Sequence, residues 1–110
     1  MKIFIVYSNE NMSIDSIYSN YESAQKRCEK LCQSSSTKYT TCYYNVVENT
    51  NNKYYIVVER DLTTLNYDCI GAVYSDKEKA KKYVKKRQSL YPNYVHYVRC
   101  FKIRQKAKDF

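Results

Sequence analysis

Two stretches decide the fold: Lys2-Ile3-Phe4-Ile5-Val6 near the start and Lys53-Tyr54-Tyr55-Ile56-Val57 in the middle. Each is a lysine followed by an apolar run of the β-forming type. A second echo follows each of them. Ile17-Tyr18-Ser19-Asn20-Tyr21-Glu22-Ser23-Ala24 returns as Val73-Tyr74-Ser75-Asp76-Lys77-Glu78-Lys79-Ala80. The first pair is offset by 51 positions and the second by 56, so the second half has the longer connection. Such a period argues for two copies of one supersecondary unit, over residues 1–48 and 53–103.

Each copy reads the same way. An apolar strand comes first (Ile3 to Tyr7; Tyr54 to Val58), then a turn and a second strand (Ser16 to Ser19; Cys69 to Tyr74). A helix and a third strand follow (Tyr39 to Val47; Tyr94 to Ile103). Ser19-x-x-Glu22 and Ser75-x-x-Glu78 read as capping boxes at the two helix starts. Ala24, Cys28, Leu31 and Cys32 form one apolar stripe, and Ala80, Tyr83, Val84 and Leu90 the other; Pro92 marks the end of the second helix. Glu48-Asn49-Thr50-Asn51-Asn52-Lys53 joins the halves with Asn-rich turn chemistry, short enough for a hairpin. A fifty-residue unit is marginal alone, so the halves should share a core. The expectation is a single α+β domain over 1–110: two ββαβ repeats forming one largely antiparallel sheet with two helices on one face, and a basic tail at 104–110. A ferredoxin-like arrangement is the alternative.

Composition bounds the chemistry. The 110 residues hold 19 Lys+Arg against 11 Asp+Glu, 14 Tyr, one Gly, one Pro, one His and no Trp. One glycine excludes the glycine-rich phosphate loops, and one histidine excludes His-rich metal sites. Met1 to Ser8 is too short for a signal-peptide core, and no stretch approaches the roughly 18 apolar residues of a membrane span. These features predict a soluble intracellular protein of cytoplasm or nucleus, or one packaged in a virion, not secreted and without membrane contact. Cys28, Cys32, Cys42, Cys69 and Cys100 are too few and odd in number for a disulfide scaffold, and read as reduced, buried thiols. The heavy use of Lys, Asn, Tyr, Ile and Ser, with little Gly, Pro or Ala, follows AT-rich codons. In that compositional style the chain resembles small orphan proteins of AT-rich large DNA viruses, a style shared by AT-rich bacteria, phages and protists.

Charge is unequal between the halves. Residues 1–52 carry five basic and five acidic side chains, residues 53–110 carry 14 and six, so the whole net charge of +8 lies in the second half. Lys77, Lys79, Lys81, Lys82, Lys85, Lys86 and Arg87 cover more than half the circumference of the second helix. Arg99, Lys102, Arg104, Lys106 and Lys108 follow on the last strand and tail. If helix and tail are neighbours they form one positive surface, suited to nucleic acid or to an acidic protein surface. The same run also reads as a solvated face that keeps the protein soluble.

The tyrosines have two readings. Tyr43, Tyr54, Tyr55 and Tyr97 could stack bases on the helix-free side of the sheet. The first and fourth strands, however, are apolar at both parities, which suits strands covered on both faces. A homodimer through the helix-free face, with these tyrosines at the interface, is therefore favoured.

No coherent catalytic or metal set appears. Cys28-x₃-Cys32 shares a helix face but has no second pair to complete a zinc site. His96 and Cys100 share a strand face about 13 Å apart, too far for proton transfer. Glu59-Arg60-Asp61 and Asp68 fall in the long second-half connection, Glu59 to Asp68, with Leu62 and Leu65; loop carboxylates beside an arginine read as surface pairs, and the connection itself as a contact loop. The function expected is non-enzymatic binding of nucleic acid, with low sequence specificity and without a cofactor. The alternative is a viral structural or host-modulating interaction module that docks an acidic partner.

Overall fold

The computed structural model describes residues 1–10, 13–48, 51–62 and 69–104. The elements run β1 (Lys2–Ser8), β2 (Ile14–Tyr18), α1 (Tyr21–Ser34), β3 (Tyr39–Asn45), β4 (Lys53–Asp61), β5 (Cys69–Tyr74), α2 (Lys77–Leu90) and β6 (Tyr94–Lys102). They form two three-stranded antiparallel sheets, ordered β2-β1-β3 and β5-β4-β6, each with one helix.

The single sheet expected from sequence is thus divided in two. β3 and β4 lie in different sheets and form no hairpin. The physical reason is the apolar pattern of the central strands. In β1, Ile3 and Ile5 point to one side and Phe4 and Val6 to the other, since successive side chains alternate across a strand. Val6 joins Tyr18, Ala24 and Cys28 under α1. Ile3, Ile5, Ile14 and Ile17 join Tyr54, Ile56 and Val58 of β4 and Ile103 in a separate buried cluster. The helix-free faces of the two sheets therefore cover each other. The helices lie on the outer sides of separate sheets, giving the layer order helix, sheet, sheet, helix, and not both on one face. One flat sheet would have left Ile3, Ile5, Tyr54 and Ile56, all fully buried here, facing water. The second cover inferred for strands apolar at both parities is the chain's own other half.

The two sheets match in detail. Each central strand pairs with both neighbours in the same order. Each has its register shift at the same place, between Val6 and Tyr7 in β1 and between Val57 and Val58 in β4. The extra residue on the edge strand is Asp15 in one sheet and Gly71 in the other. Phe4 faces Tyr43 as Tyr55 faces Cys100, and Ser8 faces Tyr39 as Glu59 faces His96.

Both helix caps sit one residue later than the capping boxes placed them. Asn20 Oδ1 accepts from Ser23 N at 2.8 Å, and Asp76 Oδ1 accepts from Glu78 N at 2.9 Å. An Asx side chain next to Ser competes for the same free helix N–H groups and wins here. In the connection between the sheets, Asn52 takes a left-handed φ of 57° and Asn51 Oδ1 accepts from Lys53 N, the conformations for which Asn-rich turns are suited. After β6 the chain crosses to the first sheet: Arg104 N donates to Ile17 O, and Ser19 N donates to Arg104 O.

Candidate functional site

α2 is the outermost layer of the second half, and its sheet-facing stripe is narrow. Ala80 is fully buried, while Tyr83, Val84 and Arg87 are half-buried. Leu90, expected in this stripe, is 60 % exposed. The C-terminal half of the helix is held instead by polar contacts. The Tyr83 hydroxyl donates to Gly71 O at 3.4 Å, and its ring lies 5.8 Å from Tyr74. Burial pushes the Tyr83 hydroxyl above its usual pKa. Arg87 Nε donates to Glu59 Oε1 at 3.2 Å, and its guanidinium lies 4.4 Å over the Tyr91 ring. That hydrogen bond to Glu59 raises the Arg87 pKa further. The His96 side chain is fully enclosed; its Nε2 is 3.3 Å from the same Glu59 oxygen, and its Nδ1 is 2.9 Å from Gln88 Oε1. Gln88 Nε2 donates in turn to Tyr94 O at 2.8 Å.

Sequence placed Glu59 in a loop. It is the seventh residue of β4, buried beneath α2. The readable signal was parity: Tyr55, Val57 and Glu59 share the helix-facing side of the strand, so a carboxylate there needs a partner inside. Gly71 makes the room. A Cβ at Gly71 would stand 2.7–2.9 Å from Glu59 side-chain atoms. In the first sheet the matching positions hold Ser8, Leu31 and Tyr39 where the second has Glu59, Arg87 and His96. There the extra-residue position holds Asp15, which accepts from Arg27 at 2.9 and 3.2 Å.

The outward side of α2 carries Lys77, Lys79, Lys81, Lys82, Lys85 and Lys86, all exposed. At helical spacing they form two rows, Lys77-Lys81-Lys85 and Lys79-Lys82-Lys86, over about 14 Å of axis. Glu78, the helix's single acid, reaches Lys81 at 3.8 Å. Lys53 and Lys102 face each other across β4 and β6 near the helix start. Beside the first row is a depression of about 510 Å³ lined by Lys53, Tyr55, Lys77, Lys81, Val98 and Cys100. Beside the second row is one of about 330 Å³ lined by Tyr74, Tyr83, Lys79, Lys82 and Lys86.

Arg87, Arg99 and Arg104, also singled out in the sequence, do not join this face. Arg87 is turned inward to Glu59. Arg99 pairs with Ile56 and so points to the opposite side of the sheet, over the Phe101 ring at 4.7 Å. Arg104 bridges to Tyr18 of β2, because the chain crosses to the first sheet instead of running beside the helix. Lys106 and Lys108 lie outside the described residues, as do Leu65 and Asp68. The four tyrosines are likewise dispersed. Tyr54 is wholly buried between the sheets and Tyr55 lies under α2. Tyr43 is 55 % exposed on the α1 side, and Tyr97 is 37 % exposed opposite Val58, on the other side of its sheet from α2.

All five cysteines are thiols. Cys28 is buried as expected and Cys42 half-buried, but Cys32, Cys69 and Cys100 are exposed: Cys32 lies in the last turn of α1, where its Sγ accepts from Tyr39 N, and Cys69 and Cys100 lie on edge strands. Burial pushes the Cys42 thiol up to about 11. Among the described residues no three His, Cys, Asp or Glu side chains come together as a metal site, and no helix is long and apolar enough to cross a membrane. Comparison with family models, curated proteins and solved structures finds no match.

Proposed function

We propose that the chain is a non-enzymatic nucleic-acid-binding protein, built from two copies of one ββαβ unit, that uses the outer face of α2 with low sequence specificity. The observation that carries this reading is the pair of lysine rows: six exposed ammonium groups on an outer helix whose single acid reaches only one of them. Such a face neutralises phosphates and releases their counterions. The duplication is supported by the shared element order, the matching register shifts and the matching cap positions. In that light the first unit is the neutral copy and the second the charged one.

The test is salt-dependent binding to a labelled oligonucleotide. Contact by about four of the six lysines gives a log–log slope of roughly −2.8 for a single strand or −3.6 for a duplex. Between about 50 and 200 mM salt, affinity should then fall roughly 50- to 150-fold. Charge reversal at Lys81, Lys82, Lys85 and Lys86 should abolish binding; unchanged affinity would remove α2 from the account. Absence of oligonucleotide binding at 50 mM salt would leave an acidic protein as the partner of this face.

A further inference from the structure

The helix-bearing faces of the two sheets differ at one place in shape as well as in charge. In the first sheet, Phe4, Tyr21 and Tyr43 fill the angle between the start of α1, β1 and β3. The Phe4 ring lies 6.0 Å from Tyr21 and 6.3 Å from Tyr43, and Lys2 Nζ lies 4.6 Å over Tyr43. The matching positions in the second sheet are Tyr55, Lys77 and Cys100. Tyr55 faces Cys100 as Phe4 faces Tyr43, and Lys77 follows its cap as Tyr21 follows Asn20. Lys53 stands where Lys2 stands. One of three rings remains; a long flexible cation and a small thiol take the other two places. What the missing rings leave is the depression of about 510 Å³ beside Tyr55.

We propose that this depression is a nucleobase site for single-stranded nucleic acid. An unpaired base enters against Tyr55, in the space that the Tyr21 and Tyr43 rings fill on the first sheet, and the adjoining phosphates lie on Lys77 and Lys81. The proposal rests on the polyanion reading of α2 and deepens it by naming the strand state. The chemistry is specific to unpaired bases. On the first sheet the matching places hold three aromatic rings in contact, with Tyr21 and Tyr43 about half exposed, so a planar ring fits there and the place is open to solvent. A base–tyrosine stack is sequence-tolerant because every base has a π-face, and bases stacked inside a duplex do not offer that face. The three lysines of the rim match the phosphates that must flank such a base.

Cys100→Tyr restores the missing ring without changing charge, and Cys100→Ser keeps the space open. Tyr55→Leu removes the stacking face. Affinity is read by fluorescence anisotropy at about 50 mM salt for a single-stranded 12-mer, its duplex, the same strand with an abasic tract, and heparin. Loss of one base stack corresponds to roughly 5- to 150-fold in affinity. Cys100→Tyr and Tyr55→Leu should each weaken the single strand by about tenfold or more, with duplex and heparin affinity and the salt slope unchanged. Cys100→Ser should bind as the native protein does, and the native protein should bind the abasic strand about tenfold more weakly. The abasic comparison needs no variant, so it stands even if a substitution disturbs folding. Native affinity of Cys100→Tyr for the single strand, or equal affinity for abasic and intact strands, overturns the base site and leaves the polyanion reading intact. Failure to bind any of the four probes overturns both.

Discussion

Gly71→Ala is a small change with a calculable effect. Gly71 has no positive φ, so its backbone suits alanine and the whole cost is steric. The new methyl would stand 2.7 Å from Glu59 Cδ and 2.8 Å from Oε1. Ordinary contact needs at least about 3.5 Å, so the carboxylate must retreat by about 0.7 Å. It has little freedom to do so. Glu59 Oε1 is held 3.2 Å from Arg87 Nε and 3.3 Å from His96 Nε2, and the side chain is only 11 % exposed. Overpacking of this kind costs about 1–3 kcal/mol, which lowers Tm by about 4–8 °C per kcal/mol in a domain of this size. The second half of the cycle isolates the cause. Glu59→Ser supplies the residue found at the matching position of the first sheet, Ser8, and opens the space beside Gly71. In that background Gly71→Ala should be neutral or stabilising by about 0.4–1 kcal/mol, through the lower entropy of the unfolded chain. Urea and thermal unfolding of the four proteins give a coupling of about 1–4 kcal/mol if the contact is as described. Equal destabilisation by Gly71→Ala in both backgrounds, or none in the native one, would refute the Glu59 placement.

Asp15→Asn should destabilise the fold by about 1–2 kcal/mol, since Arg27 donates two hydrogen bonds to that carboxylate. Burial raises the Asp15 pKa, but the Arg27 and Ser16 hydrogen bonds and the nearby arginine charges outweigh it and hold the carboxyl below its ordinary value. Its stabilisation is therefore present above the unfolded value of about 3.9 and is lost as pH falls through the folded one; acid titration of stability should be flatter in Asp15→Asn than in the native protein. Ile56→Ala, at a fully buried site between the sheets, should cost about 2–5 kcal/mol and leave a single unfolding transition; two separate transitions would contradict a shared core. Alkylation at about pH 8 followed by mass spectrometry should modify Cys32, Cys69 and Cys100 first. Cys28 and Cys42 should react only on unfolding, because burial keeps both in the thiol form.

The local elements were legible because their signals are local. β-rich runs placed six strands, and the Ser-Asn-Tyr-Glu and Ser-Asp-Lys-Glu starts placed both helices within one residue of their caps. The internal echo also exposed which half is charged. Sheet assembly was not legible, for a physical reason. Ile3, Ile5, Tyr54 and Ile56 state that a face must be covered, but hydrophobic burial is non-directional and names no partner. The same pattern serves a dimer or an internal sandwich. Arg99 and Arg104 lie away from α2 because strand parity and a chain crossing, both set by tertiary structure, decide where they point. Glu59 was hidden because a carboxylate beside Arg60 and Asp61 looks like turn chemistry until the strand is extended three residues.

The central claim is that the outward lysine rows of α2, and no other face, engage nucleic acid. Titration of isotopically labelled protein with a single-stranded oligonucleotide, followed by backbone and lysine-side-chain NMR shifts, reads this directly. The account predicts perturbations over Lys77 to Lys86, with Lys53, Tyr55 and Cys100 beside them, and none on α1. Shifts centred on α1 and β3, or spread evenly over both halves, would contradict it.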